Sequence, residues 1–296
     1  MGSISTFDHA GFMVEDIPQA HQFYKKVFDA KELRIANLHT RTYEGWPIIS
    51  FIDMGSHRFE VCLARHALAP ADRTRPFPGL GFSVSQAAME GLDQKLDALE
   101  VSHSPRLRYP DGLPVSEYIR VWDLEGNPLD LAIWSDDSGV PEEDHGGAIF
   151  LTDMCHVALE VTDLGIAEEF YTRVLGLTLL MKDDGELGKG RLIFENSTHQ
   201  VLFLELVHEL SPRSHYCGPD PSTAPHFEGM EPYAGAHVAF TVSDVAGYDE
   251  IEAALRVWGV DTDGDVLVRA GRPERKSEYF YDPAGNRIQV ICASSM

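Results

Sequence analysis

The sequence predicts an α+β protein built from four β-α-β-β-β units that pair into two domains, each an open, barrel-like mixed sheet with helices outside. Three observations carry this expectation. Residues 7–33, FDHAGFMVEDIPQAHQFYKKVFDAKEL, match residues 154–180, MCHVALEVTDLGIAEEFYTRVLGLTLL, at a constant offset of 147 through His9/His156, Val14/Val161, Asp16/Asp163 and two Phe-Tyr pairs. A fixed offset through so many positions marks an internal duplication. A weaker second pair follows, GLGFSVS at 79–85 against HVAFTVS at 237–243 and DLEGNPLDL at 123–131 against DPAGNRIQV at 282–290, at offsets of 158 and 159. The third observation is the stretch Ser277 to Val290, SEYFYDPAGNRIQV, whose aromatic and branched flanks around Asp-Pro-Ala-Gly-Asn read as a β-hairpin.

Each copy of the first pattern is a short alternating strand ending at an Asp, Asp16 or Asp163, that can cap the helix behind it. In the second copy Leu164, Ala167, Phe170, Tyr171, Val174 and Leu175 fall at helical spacing, and Gly176 stops the helix. Short β-rich runs such as Gly190–Phe194 and Val201–Leu206 come next. The units lie near 6–66, 78–135, 153–208 and 235–293. They predict an N-terminal domain over 1–135, a linker over 136–152 rich in Asp, Glu, Gly and Pro, and a C-terminal domain over 153–296. The stretch His208 to Tyr233 carries five prolines and reads as a long loop, of a length often found in lids and binding loops. On the hairpin, Tyr279 and Gln289 fall on opposite sides of the turn, where cross-strand neighbours face each other.

Composition narrows the partners. With 296 residues and 44% hydrophobic content, the chain can fill two cores. No apolar run approaches the ~18 residues of a membrane helix, and the N-terminus lacks the layout of a signal peptide, so a soluble, cytoplasmic protein is expected. The 47 acidic against 24 basic residues give a formal charge of −23, which repels nucleic acid and anionic membrane surfaces. The four cysteines are widely spaced without a CxxC pair, which indicates neither a zinc cluster nor a disulfide framework.

The duplicated pattern, the opening from His156 through the Phe-Tyr pair and the YFYDPAGNRI hairpin together resemble the vicinal oxygen chelate superfamily, which includes glyoxalases, bleomycin resistance proteins and extradiol dioxygenases. Four units in two domains look most like its type I extradiol ring-cleaving dioxygenases. The resemblance implies a divalent metal, Fe(II) or alternatively Mn(II), in the C-terminal domain, with His156, His237 and Gln289 at the ligand positions. Gln289 replaces the carboxylate of the pattern, which removes one negative charge and makes an anionic bidentate substrate part of the charge balance. The resemblance further implies His199 as a catalytic acid–base group and Tyr279 as a hydrogen-bond donor to a bound substrate oxygen. A further family histidine is replaced by Ala270. The N-terminal counterparts His9, Gly79 and Asp130 do not make a complete ligand set; with Glu60 added they remain a weak constellation, so that half is expected to be structural.

Three activities follow as expectations. The first is a dioxygenase cleaving a catechol-like or polyphenolic ring with dioxygen as co-substrate. The second is a non-oxidative lyase, isomerase or hydrolytic enzyme on a metal-chelated metabolite, and the third a protein that sequesters a small aromatic compound. A homo-oligomer is expected in each case.

Overall fold

The computed structural model describes residues 3–33, 42–43, 46–47, 49–54, 60–65, 79–135, 147–183, 190–210, 237–262 and 276–292. The predicted loop at 208–233 falls almost wholly outside these residues, as does Ala270. The first unit comprises β1 (Ile4–Val14), α1 (Ile17–Phe28), β2 (Lys31–Leu33), β3 (Thr42–Tyr43), β4 (Trp46–Pro47), β5 (Ile49–Asp53) and β6 (Glu60–Arg65). The second comprises β7 (Gly79–Ser83), α2 (Gln86–Met89), α3 (Leu92–Ala98), β8 (Leu107–Arg108), β9 (Val115–Trp122) and β10 (Pro128–Trp134). The third holds β11 (Met154–Val161), α4 (Leu164–Arg173), β12 (Thr178–Asp183), β13 (Arg191–Glu195) and β14 (Val201–Leu206). The fourth holds β15 (Val238–Val242), α5 (Val245–Trp258), β16 (Ser277–Tyr281) and β17 (Arg287–Cys292).

Local chemistry sets these elements as the sequence predicts. Asp16 and Asp163 are the N-caps of α1 and α4, accepting from the backbone N–H groups of Gln19 and Ile166 at 2.9 Å each. The hairpin of β16 and β17 forms with Tyr279 opposite Gln289.

The pairing of units differs from the order of the chain. One seven-stranded sheet runs β16-β17-β15-β1-β6-β5-β2 and so joins units four and one; an eight-stranded sheet runs β12-β13-β14-β11-β7-β10-β9-β8 and joins units three and two. The seams are antiparallel pairs of first strands, β1 with β15 and β7 with β11. The halves 1–135 and 153–296 are therefore stretches of chain, each of which contributes to both sheets. A repeat offset reports duplication, but it carries no information about which strand edge meets which. The predicted linker is also shorter as a connector than expected. Ile149 and Leu151 are buried in the core, and the Ile149 N–H donates to the Val27 carbonyl at 2.8 Å.

Two matched contacts tie each half of the chain together across the sheets. In the β16–β17 turn the Asp282 carboxylate accepts from the N–H groups of Ala284 and Asn286, from Asn286 Nδ2, and from the Tyr171 hydroxyl of α4 at 2.8 Å. Asn286 Nδ2 also donates to the Glu160 carbonyl at the end of β11. In the β9–β10 turn Asp123 accepts in the same pattern from Glu125 and Asn127 and from the Tyr24 hydroxyl of α1 at 3.0 Å, while Asn127 Nδ2 donates to the Met13 carbonyl of β1. Burial pushes both carboxyls above their usual range, and these hydrogen bonds offset it in part.

The main core lies between the sheets and the helices. It takes Tyr24, Val27 and Phe28 from α1, Phe170 and Tyr171 from α4, Ile251 and Leu255 from α5, and one face of each seam strand. A separate apolar cluster of Val115, Ala132, Trp134, Cys155, Ala158, Ile193, Val201 and Phe203 covers the other face of the eight-stranded sheet.

Removing one hydroxyl from either contact leaves a buried carboxylate short of a donor. Tyr24→Phe and Tyr171→Phe are each expected to cost about 1–3 kcal/mol in urea unfolding. Because the two contacts match, their costs should agree within about 1 kcal/mol.

Candidate metal centre

The register of the seven-stranded sheet brings together residues far apart in sequence. Ala239 on β15 is the Cα partner of His9 on β1 and of Gln289 on β17, so His9, Ala239 and Gln289 form one row across three strands. Facing residues in a ladder share a face, and so do residues two apart along a strand. His237, two residues before Ala239, and Tyr279, opposite Gln289, thus join that row on the face away from the main core, to which Val238, Phe240, Ile288 and Val290 belong. The Gly11 N–H donates to the His237 carbonyl at 2.8 Å and extends the seam to that residue.

The two imidazoles converge. His9 Nε2 lies 2.9 Å from His237 Nε2, with the ring centroids 5.0 Å apart in an edge arrangement. Asp8 Oδ2 lies 2.8 Å from His9 Nδ1. A carboxylate there accepts the Nδ1 proton and so leaves the His9 Nε2 lone pair directed at His237. The ladder shifts register between Phe7 and His9, a bulge of the kind that re-aims side chains at functional sites. Tyr279 packs its ring against His237 with centroids 5.4 Å apart.

Gln289 is held by one end of its amide. Nε2 donates to Ser277 Oγ at 2.6 Å, while Oε1 is buried and has no hydrogen-bond partner. An acceptor buried in that state is costly unless something electropositive meets it. His9, His237 and Gln289 are 7%, 6% and 3% exposed, so the donors are withdrawn from bulk water.

These features fit a divalent ion. Two nitrogens bound at about 2.1 Å in neighbouring octahedral positions stand roughly 3 Å apart, close to the observed separation of the Nε2 atoms. Glu60 is in register with His9 on β6, the parallel neighbour of β1. Among the described residues no group of three or more His, Cys, Asp or Glu side chains could hold a metal, and the described donors here are two imidazoles and an amide.

The other members of the predicted set lie elsewhere. His156 is on β11 in the eight-stranded sheet, so it does not share a site with His237 and Gln289. Its Nε2 is 3.1 Å from the Tyr109 hydroxyl and 3.3 Å from Asp130 Oδ2. Asp130 is held by Arg120 through two 2.7 Å hydrogen bonds and by the Tyr109 hydroxyl at 3.0 Å. Gly81 makes room for the His156 ring, since a Cβ there would come within 1.9 Å of it. His199 is on the β13–β14 turn with a φ of 59°, its side chain 60% exposed and its Nδ1 3.1 Å from Glu195. It is a turn residue of the other sheet, not a group beside the histidine pair. His9, which the sequence suggested to be structural, is instead the partner of His237. The signal for it was the duplication itself, which set His9 at the position of His156.

Electrostatics keep the two faces apart in character. Burial by itself raises the Asp130 carboxyl, but the Arg120 guanidinium and hydrogen bonds from His156 and Arg120 hold it below the usual carboxylate range. A carboxyl depressed in the folded state stabilises the protein above its unfolded pKa, and that stabilisation is lost as pH falls through the folded value. Asp130→Asn is therefore expected to lower stability at pH 7 and to flatten the loss of stability below about pH 4, measured as urea midpoints against pH. Gly81→Ala should cost about 1–3 kcal/mol or more in the same assay, because the His156 ring has to move.

The comparisons with known proteins agree with this architecture. Residues 154–290 match the model of the Glyoxalase/Bleomycin resistance protein/Dioxygenase superfamily. The sequence has no significant match among curated proteins. Among solved structures, a candidate dioxygenase from Bacillus subtilis subsp. subtilis str. 168 superposes with a TM-score of 0.67 at 12% identity, covering 99% of this chain and 87% of that one. Glyoxalase I from Zea mays superposes with a TM-score of 0.60 at 18% identity, covering 100% of this chain and 94% of that one. At such identities the likeness is one of fold. Strand pairing, curled sheets and sequence match are in accord, and residues 154–290 are similar to a domain of the glyoxalase/bleomycin resistance protein/dioxygenase superfamily.

Proposed function

We propose that the chain is a divalent-metal-dependent enzyme that rearranges or cleaves a small metabolite without oxidation, with His9, His237 and Gln289 as metal ligands. Members of the superfamily include dioxygenases and glyoxalase I and are typically divalent-metal dependent. The observation that supports this reading is the approach of the two Nε2 atoms to 2.9 Å on the face that also holds the unsatisfied Oε1 of Gln289. The two imidazole Nε2 atoms and the amide oxygen would hold the ion. When bound, it supplies Lewis-acid polarisation of chelated substrate oxygens.

The protein groups have distinct tasks in this scheme. The Asp8 carboxylate keeps the proton on His9 Nδ1, which orients the ring. Ser277 fixes the rotamer of Gln289 by accepting from its Nε2, so that Oε1 is the end presented. Tyr279, against His237 and opposite Gln289, is the phenol placed to donate to a substrate oxygen.

Ring cleavage with dioxygen, the first expectation from the sequence, called on His199 beside the metal. With His199 on an exposed turn of the other sheet, the proton handling that favoured that chemistry is not at this site. The non-oxidative reading needs a polarised carbonyl or hydroxyl and a hydrogen-bond donor beside it, for which the ion and Tyr279 serve.

Metal analysis and anaerobic turnover test the reading. The purified protein should bind about one divalent ion per chain, and His9→Ala or His237→Ala should weaken binding at least ~10-fold, whereas His156→Ala should leave it within ~3-fold. Turnover of α-hydroxycarbonyl substrates should persist without oxygen and with redox-inert Zn(II). A strict oxygen requirement would return the assignment to ring cleavage, and tight ligand binding without product would favour sequestration. Gln289→Glu adds a negative charge to the donor set and should tighten metal binding by about 10-fold.

A further inference from the structure

The face of the eight-stranded sheet away from the main core holds one phenol in a setting that satisfies it on every side. Tyr109 follows β8, the two-residue strand at the edge of that sheet, and its N–H donates to the Ser116 carbonyl at 2.8 Å across the β8–β9 hairpin. Its ring packs on the apolar cluster of the face together with Leu113 of the same hairpin. It stacks on Tyr118 and on Phe203 at interplanar angles of 23° and 16°, and it meets the His156 ring in an edge arrangement with centroids 5.4 Å apart. The hydroxyl donates to Asp130 Oδ2 at 3.0 Å and lies 3.1 Å from His156 Nε2. That nitrogen also faces Asp130 Oδ2, at 3.3 Å, so it carries the imidazole proton and donates to the phenol oxygen. One acceptor and one donor are what a neutral phenol requires. Burial and the Asp130 charge push the Tyr109 hydroxyl well above its ordinary pKa, and two hydrogen bonds from Arg120 keep Asp130 ionised.

We infer that this face is a binding site for a small neutral phenol, closed in the structure by Tyr109 as its built-in occupant. The groups that hold the ring come from elements other than the short segment that carries Tyr109: Tyr118 from β9, Asp130 from β10, His156 from β11 and Phe203 from β14. They keep their places when that side chain turns away. Tyr109 itself is half-buried and follows the exposed Arg108, so a rotation about its χ1 takes the hydroxyl towards water while the backbone stays paired. The chemistry selects the guest. An arene without a hydroxyl leaves Asp130 and His156 short of a partner, and a phenolate or carboxylate meets the charge of Asp130, to which Arg120 is already bound. A guest has to compete with a tethered ring, whose effective concentration is of about millimolar order or above. The site makes no use of His9, His237 or Gln289, which belong to the other sheet, and stands independently of the metal assignment.

The test titrates p-cresol, the tyrosine side chain as a free molecule, into the wild-type protein and follows the labelled histidine and tyrosine rings by NMR. The signals of His156 and Tyr109 should shift together, with half-saturation at about millimolar p-cresol or above. Toluene, which has the same shape without the hydroxyl, should bind at least ~10-fold more weakly, and p-toluate should leave His156 unshifted. Tyr109→Phe deprives the resident ring of its hydrogen bonds while the guest keeps both, so p-cresol should bind this variant at least ~10-fold more tightly than the wild-type protein. Tyr109→Ala removes the competitor and should bind it more tightly still. The inference is overturned if His156 does not shift in the wild-type protein up to the solubility limit of p-cresol, or if toluene or p-toluate binds as well as p-cresol. Equal affinity in Tyr109→Phe and the wild-type protein overturns it too, as do shifts confined to His9 and His237, which would put the phenol on the other sheet. If Tyr109→Ala does not fold, the wild-type protein and Tyr109→Phe carry the same decision.

Discussion

The antiparallel seam of β1 with β15 is the constraint on which the site depends. It sets His9 across from Ala239, with His237 two residues away along the same face and Gln289 on the next strand. A slip of one residue would send His9 to the helix-covered face, where Phe240 and Val290 pack. The register is secured from the apolar side, because Ala10, Val14, Val238, Phe240 and Val242 must all face the main core at once. The polar face is thus positioned by the hydrophobic one, and burial on the core side holds the histidine pair in place.

The molecule closes on itself through two kinds of contact. Sheets join units one to four and two to three, while the Tyr–Asp–Asn contacts join units one to two and three to four. Every unit is therefore bonded to two others, and no half of the chain can separate without breaking a sheet seam. The hairpin that carries Tyr279 and Gln289 is braced at its turn by Tyr171 and along its edge by β15. Gln200 adds a further tie between the sheets: its Oε1 accepts from the Phe7 N–H and the Thr6 hydroxyl, and its Nε2 donates to the Met154 carbonyl.

Duplication produced two equivalent faces that have diverged. One keeps two imidazoles and an unsatisfied amide oxygen. On the other, Gly79 stands at the counterpart of His237 and Val201 at that of Glu60, since His156 pairs with Val201 as His9 pairs with Glu60. That face is filled by an apolar cluster, and the charges of Arg120 and Asp130 on it neutralise each other. Aromatic packing of Tyr109 on Tyr118 and Phe203, with centroids 4.2 and 5.1 Å apart, completes the filling. With Gly79 in place of a histidine and an ion pair in place of an unsatisfied amide oxygen, that face is a packed, self-balanced interior.

The sequence by itself determined the repeat units, the Asp caps of α1 and α4, the hairpin with Tyr279 opposite Gln289, and the family likeness that follows from them. These are short-range features, set by dihedral preferences, capping chemistry and hydrophobic period within a few residues of each other. That His237 and Gln289 fall near each other was legible because both belong to one unit. Only the tertiary structure decided that His9 rather than His156 meets His237, and that His199 faces water. The reason is physical. Copies related by duplication present nearly identical first strands, and the choice between them as a seam partner for β15 is made by packing and register across more than two hundred residues of chain, which no local pattern encodes.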